Sequence, residues 1–231
     1  PAVTGFCPGK SVSDNARVHL GRKNVLKVDL HDFFPSIRSP RVRAAFREMG
    51  YSRPIAKVLA ELCCLRCCLP QGAPTSPALS NIIAYPMDKK MMALAGEYGL
   101  VYTRYADDLT FSGDYLPKDE VLVRIHRIIR EEGFTMNVKK TRFLSEHKRK
   151  IITGVSVSSG KKMTLPKVKK REIRKNVHYV LTKGLVGHQE HIGSTDPVYL
   201  KRLLGSLCYW RSIEPDNRYV SDSITALKRL M

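Results

Sequence analysis

The spacing of apolar residues changes along this chain, and the changes mark its elements. Residues 1–24 are polar and turn-rich and read as loop. Val25–Leu30 (VLKVDL) largely alternates apolar and polar side chains, the period of a half-buried strand, with Asp29 near its end. Ser39-Pro40 reads as the N-cap and first residue of a helix that runs to Met49-Gly50. A second helix is predicted from Pro54 to Cys68, with Ile55, Leu59 and Leu62 on one face. Leu69–Pro74 holds two prolines and a glycine and excludes regular structure. Ser76-Pro77 repeats the N-cap and proline signal and opens a helix toward Ala95, which Pro86 is expected to kink or break.

Val101–Phe111 contains two β-prone stretches around Ala106-Asp107-Asp108, a hairpin with two carboxylates at its turn. Pro117–Gly133 carries Val121, Ile125, Ile128 and Ile129 at helical spacing. Ile151–Leu165 reads as a second hairpin with Ser158, Ser159 and Gly160 at its tip. A helix from Pro166 places Val168, Ile173, Val177 and Val180 on one face. Gly184–Gly193 reads as loop, and Asp196-Pro197 opens a helix through Leu203, Leu207 and Trp210. The order predicts an α+β domain with an antiparallel sheet and packed helices, followed by an all-α tail.

Charge changes the picture next. The 231 residues hold 40 Lys and Arg against 21 Asp and Glu, a net charge of +19, with 43% hydrophobic residues. Such a chain folds, and its excess points to a polyanionic partner. No apolar run reaches the roughly 18 residues of a membrane span, and no targeting signal opens the chain, so no membrane role is expected. Residues 139–175 concentrate the excess, with 14 Lys and Arg against Glu146 and Glu172. That density suits sequence-independent contacts to phosphates. Cys63, Cys64, Cys67 and Cys68 crowd into one run, which fits a reduced, cytoplasmic setting. They read either as small apolar side chains at a buried helix end or as an incomplete metal knuckle.

Asp107 and Asp108 are adjacent at a turn, where each raises the other's pKa unless a cation compensates. Asp-Asp is also a common turn dipeptide. With Asp29 at the end of a neighbouring strand, three carboxylates suit a pair of Mg²⁺ ions, as used for in-line displacement at phosphorus.

Four ordered strings carry a family resemblance: Asp29–Ile37 (DLHDFFPSI), Leu69–Pro77 (LPQGAPTSP), Tyr105–Asp108 (YADD), and Gly133-Phe134 through Asn137, Lys140, Thr141 and Arg142. Together they resemble the successive motifs of reverse transcriptases. The resemblance implies a right-hand polymerase architecture, with partial fingers and palm over residues 1–165 and a helical thumb over 166–231. It implies that Asp29, Asp107 and Asp108, with the Leu30 carbonyl, hold two Mg²⁺ ions, for which Mn²⁺ can substitute. Phe34 takes the place of a ring that excludes ribonucleotides, with one of Phe33 and Phe34 left for the core. Gln71 and Gly72 contact the deoxynucleoside triphosphate or template, and Lys140 reads either as a pyrophosphate contact or as a solvated surface lysine. The basic region becomes a primer grip and thumb, with Arg142, Lys161, Lys162, Lys167, Lys169, Lys170, Arg171 and Arg174 as candidate contacts to an RNA template and its DNA or RNA primer.

Asn15-Ala16-Arg17-Val18-His19, with Gly5-Phe6 and Gly9-Lys10-Ser11 before it, resembles an element of bacterial retron reverse transcriptases, as does Ile152-Thr153-Gly154. By that resemblance Asn15 and His19 join the nucleic-acid contacts, a structured non-coding RNA supplies template and a priming 2′-hydroxyl, and the branched RNA–DNA product serves antiphage defence with a separate effector protein. Intron maturases, diversity-generating and CRISPR-associated reverse transcriptases share the palm strings. An RNA-dependent RNA polymerase shares the carboxylates but leaves Phe34 and LPQGAPTSP unexplained, and a non-catalytic RNA scaffold leaves the three carboxylates unexplained. The fingers residues expected before Gly5-Phe6 are missing, which reads either as a truncated chain or as an N-terminal part supplied separately.

Overall fold

The structure, a computed structural model, describes residues 2–230; Pro1 and Met231, the outer ends of the two expected regions, lie outside the described residues. In chain order the elements are α1 (Val12–Arg17), β1 (Asn24–Asp29), α2 (Phe33–Ser36), α3 (Ser39–Glu48), α4 (Arg53–Cys63), α5 (Ser76–Glu97), β2 (Val101–Tyr105), β3 (Asp108–Gly113), α6 (Lys118–Glu131), β4 (Arg142–Leu144), β5 (Ile151–Ile152), β6 (Val155–Ser156), α7 (Lys167–His191), α8 (Tyr199–Ile213) and α9 (Arg218–Lys228). The predicted α+β class holds. Four strands form one antiparallel sheet in the order β2-β3-β1-β4, and β5 and β6 pair separately.

Strand parity divides the main sheet into an apolar and a polar face. Leu26 and Val28 of β1, Leu109 and Phe111 of β3, and Tyr102 of β2 lie on one face and enter a buried cluster with α5 and α6, including Met87, Met91, Ile125 and Ile129. The opposite face carries Asp29 paired with Asp108, Lys27 with Thr110, and Val25 with Ser112. A second buried cluster joins Ala16 and Val25 to Ile152, Val155 and Val157 and to the helices α7, α8 and α9 through Val177, Leu207, Trp210 and Leu227.

Several predicted elements are corrected. The N-terminal stretch is not all loop, because Ser11 caps α1 in a reciprocal capping box with Asp14. Ser39 and Ser76 lie inside their helices rather than at the cap; Arg38 and Thr75 take the cap positions. The α4 helix stops at Cys63, five residues early, and Arg66 and Cys67 take φ of 51° and 62° in the turn that follows. The six cysteines are free, and Cys67 is exposed rather than buried at a helix end. The face of α4 against the core is Ala56 and Ala60, while Ile55 and Leu62 are 51% and 78% exposed. Small residues at the contact let α4 lie close to its neighbour, and its large side chains are left outside.

Pro86 does not break α5, which stays helical over 22 residues. Buried Ile83, Ala84, Met87 and Met91 anchor it on both sides of the proline, so packing outweighs the one backbone bond lost there. The second hairpin turns at Thr153-Gly154, both at positive φ, and a further bend at residues 158–161 returns Thr164 to Ser156. Val168 is exposed rather than on the buried face of α7. Residues 185–191, predicted as loop, are helical beyond a break at Gly184 (φ 75°, ψ 166°), a conformation that glycine tolerates.

One buried ion pair ties α5 to the sheet. Arg104 donates from Nε and Nη2 to the two carboxylate oxygens of Asp88 at 2.8 and 2.7 Å, and Tyr102 donates to Asp88 at 2.7 Å. Burial alone lowers the Arg104 pKa, but its hydrogen bonds to Asp88 hold it above the ordinary value. Neither side chain reaches solvent. Removing one partner of such a pair strands a buried charge. Asp88→Ala is expected to destabilise the chain by about 3–5 kcal/mol in urea denaturation, and adding Arg104→Met is expected to recover much of that loss. A double variant as unstable as Asp88→Ala would show that the arginine's stranded charge is not the cause.

Candidate active site

The sheet register builds the site. Asp29, the last residue of β1, lies directly opposite Asp108, the first of β3. A two-residue loop, Ala106-Asp107, joins Tyr105 to Asp108. Ala106 takes φ +56°, a left-handed conformation that costs on the order of 1–3 kcal/mol for a residue with a side chain. The surroundings hold the turn there. Arg104 Nη1 donates to the Ala106 carbonyl at 3.1 Å, and Gly5 packs so closely that a Cβ on it would lie 2.5 Å from the Ala106 nitrogen. Asn81 of α5 secures Gly5 by donating to its carbonyl at 2.9 Å and accepts from Arg104 Nη1 at 3.1 Å. Sequence reasoning missed this bracing set of Gly5, Asn81, Asp88 and Arg104. Its one legible signal is Arg104 within the predicted apolar hairpin.

The peptides beyond Asp29 are equally constrained. Leu30 N–H donates to the Asp107 carbonyl at 3.0 Å, His31 N–H to Thr135 at 2.8 Å, and Asn137 N–H to the Asp29 carbonyl at 2.7 Å. These bonds use the Asp107, Thr135 and Asp29 carbonyls and leave the Leu30 carbonyl out of the ladder.

A cleft of about 390 Å³ opens here, lined by Asp29, Leu30, Phe34, Gln71, Asp107 and Lys140 among others. Asp108 lies beside it, across the ladder from Asp29, and Gly72 follows Gln71 at φ +91°. The LPQG loop is folded back by Ser76, whose hydroxyl donates to the Pro70 carbonyl at 2.7 Å. Both rings border the cleft; Phe33, 4% exposed, belongs to the core, and Phe34 is the more open of the two. They are successive residues of the short helix α2, about 100° apart around its axis, and not opposed across a strand as alternation would place them. Phe34 is backed by Phe33 at 5.4 Å and Phe6 at 6.0 Å between ring centroids.

Burial and the neighbouring Asp108 and Asp29 carboxylates hold the Asp107 pKa above its usual range. Lys140 Nζ donates to Asp29 Oδ2 at 3.2 Å, and that bond raises the lysine pKa. Asp29 Oδ1 is buried with no partner among the described residues. One ammonium against three carboxylates leaves negative charge undercompensated, and the all-oxygen donor set suits a hard divalent cation. Among the described residues no three His, Cys, Asp or Glu side chains form a ready-made cage. A cation here would complete its shell with water or substrate oxygens, as Mg²⁺ commonly does.

Other candidates are sorted by burial. Asn15 and His19 are wholly buried, so their contacts are with protein and not with nucleic acid. His19 bridges Ser112 Oγ at 2.6 Å and Thr103 Oγ1 at 2.7 Å on the polar face of the sheet, and burial, helped by Arg22, pushes its pKa down to about 4. Asn15 donates to Thr153 Oγ1 at 3.4 Å and accepts from Thr4 at 2.9 Å, so two separated sequence strings meet as one strut. Lys170 is bonded to Glu214 at 2.7 Å, and both it and Arg174 lie over the Trp210 ring. Lys169 pairs with Glu172 at 3.0 Å. Arg142 is exposed and donates to the Lys139 and Thr141 carbonyls. Lys161, Lys162, Lys167 and Arg171 are exposed and unpaired among the described residues, the first two at a separate pocket with Arg17.

Residues 1–180 match the family described as reverse transcriptase (RNA-dependent DNA polymerase). The chain is 39% identical over 194 residues to the Retron Ec86 reverse transcriptase of Escherichia coli, covering 83% of this chain and 60% of that protein. It is 36% identical over 236 residues to the Retron Mx65 reverse transcriptase of Myxococcus xanthus, covering 94% of this chain and 52% of that protein. The chain thus spans little more than half the length of these two relatives. An apo telomerase from Candida tropicalis, truncated from its C-terminal domain, shares the fold alone: TM-score 0.50, 11% identity, 67% of this chain and 39% of that one. The matched sequence, the palm-like sheet and the carboxylates at its strand ends agree: the chain belongs to the reverse transcriptase family, and its likeness there is to bacterial retron reverse transcriptases.

Proposed function

We propose that this chain carries the catalytic centre of an RNA-directed DNA polymerase. The observation that carries the reading is the Asp29–Asp108 cross-strand pair with Asp107 adjoining, facing a cleft that also holds Phe34, Gln71 and Lys140. Asp29, Asp107 and Asp108, with the Leu30 carbonyl, would hold two Mg²⁺ ions. When bound, such a pair lowers the pKa of a primer 3′-hydroxyl and neutralises charge on the departing pyrophosphate. Phe34 lies where a sugar would rest and excludes a 2′-hydroxyl by bulk. Gln71 contacts the nucleotide or template, and Gly72 lets the backbone approach it. Lys140 keeps a proton on Nζ within reach of the cleft and offers it to the leaving phosphates. Lys161, Lys162, Lys167 and Arg171, with Arg142 and the partly engaged Lys169, follow the phosphates of the template–primer duplex. Lys170 and Arg174 brace the thumb helices α7, α8 and α9 that carry this track. The palm and partial fingers extend to about residue 165 and the thumb follows.

Likeness to the retron enzymes supports a finer reading. The template is a structured non-coding RNA that also supplies the priming hydroxyl, and the branched RNA–DNA product acts in antiphage defence with a separate effector protein. The six free thiols suit a reducing cytoplasm.

Asp107→Asn with Asp108→Asn is expected to cut primer extension on an RNA template by about a thousandfold or more, the scale of losing a principal transition-state stabiliser, without lowering the melting temperature. Equal DNA synthesis by parent and variant would falsify the assignment. Phe34→Val is expected to raise ribonucleotide incorporation relative to deoxynucleotide by about 10- to 100-fold, and unchanged discrimination would remove Phe34 as the gate. Sequencing the RNA that co-purifies with the protein is expected to return a single small structured RNA; a ribozyme-like intron sequence would sink the retron reading.

A further inference from the structure

Outside the cleft and the thumb, the next concentration of positive charge lies on the paired helices α3 and α4. Residues 38–57 hold six Lys and Arg and a single acid, Glu48. A groove of about 700 Å³ runs between the helices, with Pro40 and Pro54 in its lining, Arg43 and Arg47 contributed by α3, and Arg53 and Lys57 by α4. All four cations are exposed. Among the described residues Arg43, Arg47 and Arg53 form no ion pair, and Lys57 reaches only Glu61, at 4.0 Å. The one further bond is from Arg47 to the Tyr51 carbonyl, at 3.0 Å.

This arrangement works against folding. Each helix carries like charges at i, i+4 spacing, which destabilises it, and both pairs line one groove. On the neighbouring helices α5 and α6 and the strand β2, by contrast, several cations are matched, as with Lys90 between Glu131 and Glu132, Arg124 on Glu97, and Arg104 on Asp88. The groove shares no lining residue with the cleft.

We propose that the α3–α4 groove is a second nucleic-acid site, which takes the sugar–phosphate backbone of an RNA strand beyond the primer–template held at the carboxylates. Three guanidinium groups offer paired N–H donors that match phosphate oxygens, and the prolines offer an apolar surface to ribose. The lining has no aromatic ring on which bases could stack, so binding is independent of sequence and sensitive to salt. The ligand's identity rests on the polymerase reading, which brings RNA to this protein; an acidic protein segment would meet the same charges and is one outcome of the test.

The test compares two probes with the whole chain: a short primer–template duplex, and the same duplex whose RNA template continues into a long structured extension. Binding is measured over a range of salt for the parent and for Arg43→Ala/Arg47→Ala/Arg53→Ala. The variant is expected to bind the extended probe more weakly and to lose about 2 from the log–log salt slope, at about 0.7 for each of three phosphate contacts. It is expected to bind and extend the short duplex as the parent does. Arg→Lys at all three positions keeps the charge and is expected to retain most of the slope, which separates a lost contact from a lost fold. An unchanged slope on the extended probe overturns the site. Equal losses on both probes also overturn it, because the arginines would then serve the duplex in the cleft. Lost binding of polyglutamate with an unchanged RNA slope gives the groove to an acidic protein instead. Extension of the short duplex does not involve the groove, so failure of the polymerase reading shows there separately.

Discussion

The bidentate pair between Asp88 and Arg104 is the constraint on which the candidate site depends. It fixes α5 against β2 on the apolar face of the sheet, while a third donor of the same guanidinium holds the Ala106 carbonyl at the turn on its rim. The strained turn presents Asp107 and Asp108, whose mutual repulsion opposes bringing them toward Asp29. A buried ion pair is weak evidence of stability, since desolvation offsets much of its attraction, but it is demanding about geometry. Here its geometry sets a carboxylate cluster that would otherwise relax apart. Loosening the pair would free the Ala106 turn and the contact of α5 with β2 together.

Much of this was legible in sequence where a short period coincided with a chemical landmark. The alternation of VLKVDL and the two β-prone stretches around Ala106-Asp107-Asp108 placed three strands, and the register of β1 with β3 then puts Asp29 and Asp108 together on the polar face. The apolar spacing of Val121, Ile125, Ile128 and Ile129 located α6 for the same reason. Sequence reasoning failed where burial did not follow hydrophobicity. On α4 the alanines pack inward and Ile55 and Leu62 face out, because close helix approach selects small residues at the contact. Asp88 and Arg104 are charged yet wholly buried, and only their pairing in space explains it. Asn15 and His19 sit in a string that resembles a family signature, but resemblance does not say which way a side chain points; both hold α1 to the sheet and the hairpin.

The charge distribution divides labour along the chain. Part of the basic stretch from residue 139 to 175 is structural, since Lys170 and Arg174 rest on Trp210 and Glu214 inside the helical tail. The density of cations in sequence therefore overstates what is free to meet a phosphate. The three arginines of the α3–α4 groove show the reverse, a modest count in sequence that is almost wholly uncommitted in space.

The strut between Asn15 and Thr153 has a consequence for how the molecule assembles. The first core draws on residues from Leu26 to Phe134, all available once the first two-thirds of the chain has been made. The second core joins Ala16 and Val25 to partners that extend as far as Leu227. Contacts of such separation close slowly, because the intervening chain must be ordered first. The polar partners of α1 and of His19 lie in β2, β3 and the turn after β5, so α1 can dock once that hairpin has been made, and the part of the second core built by α7, α8 and α9 closes after it. The carboxylate turn can reach its folded form while the helical tail is still being made, and the tail helices become the final latch on the second core.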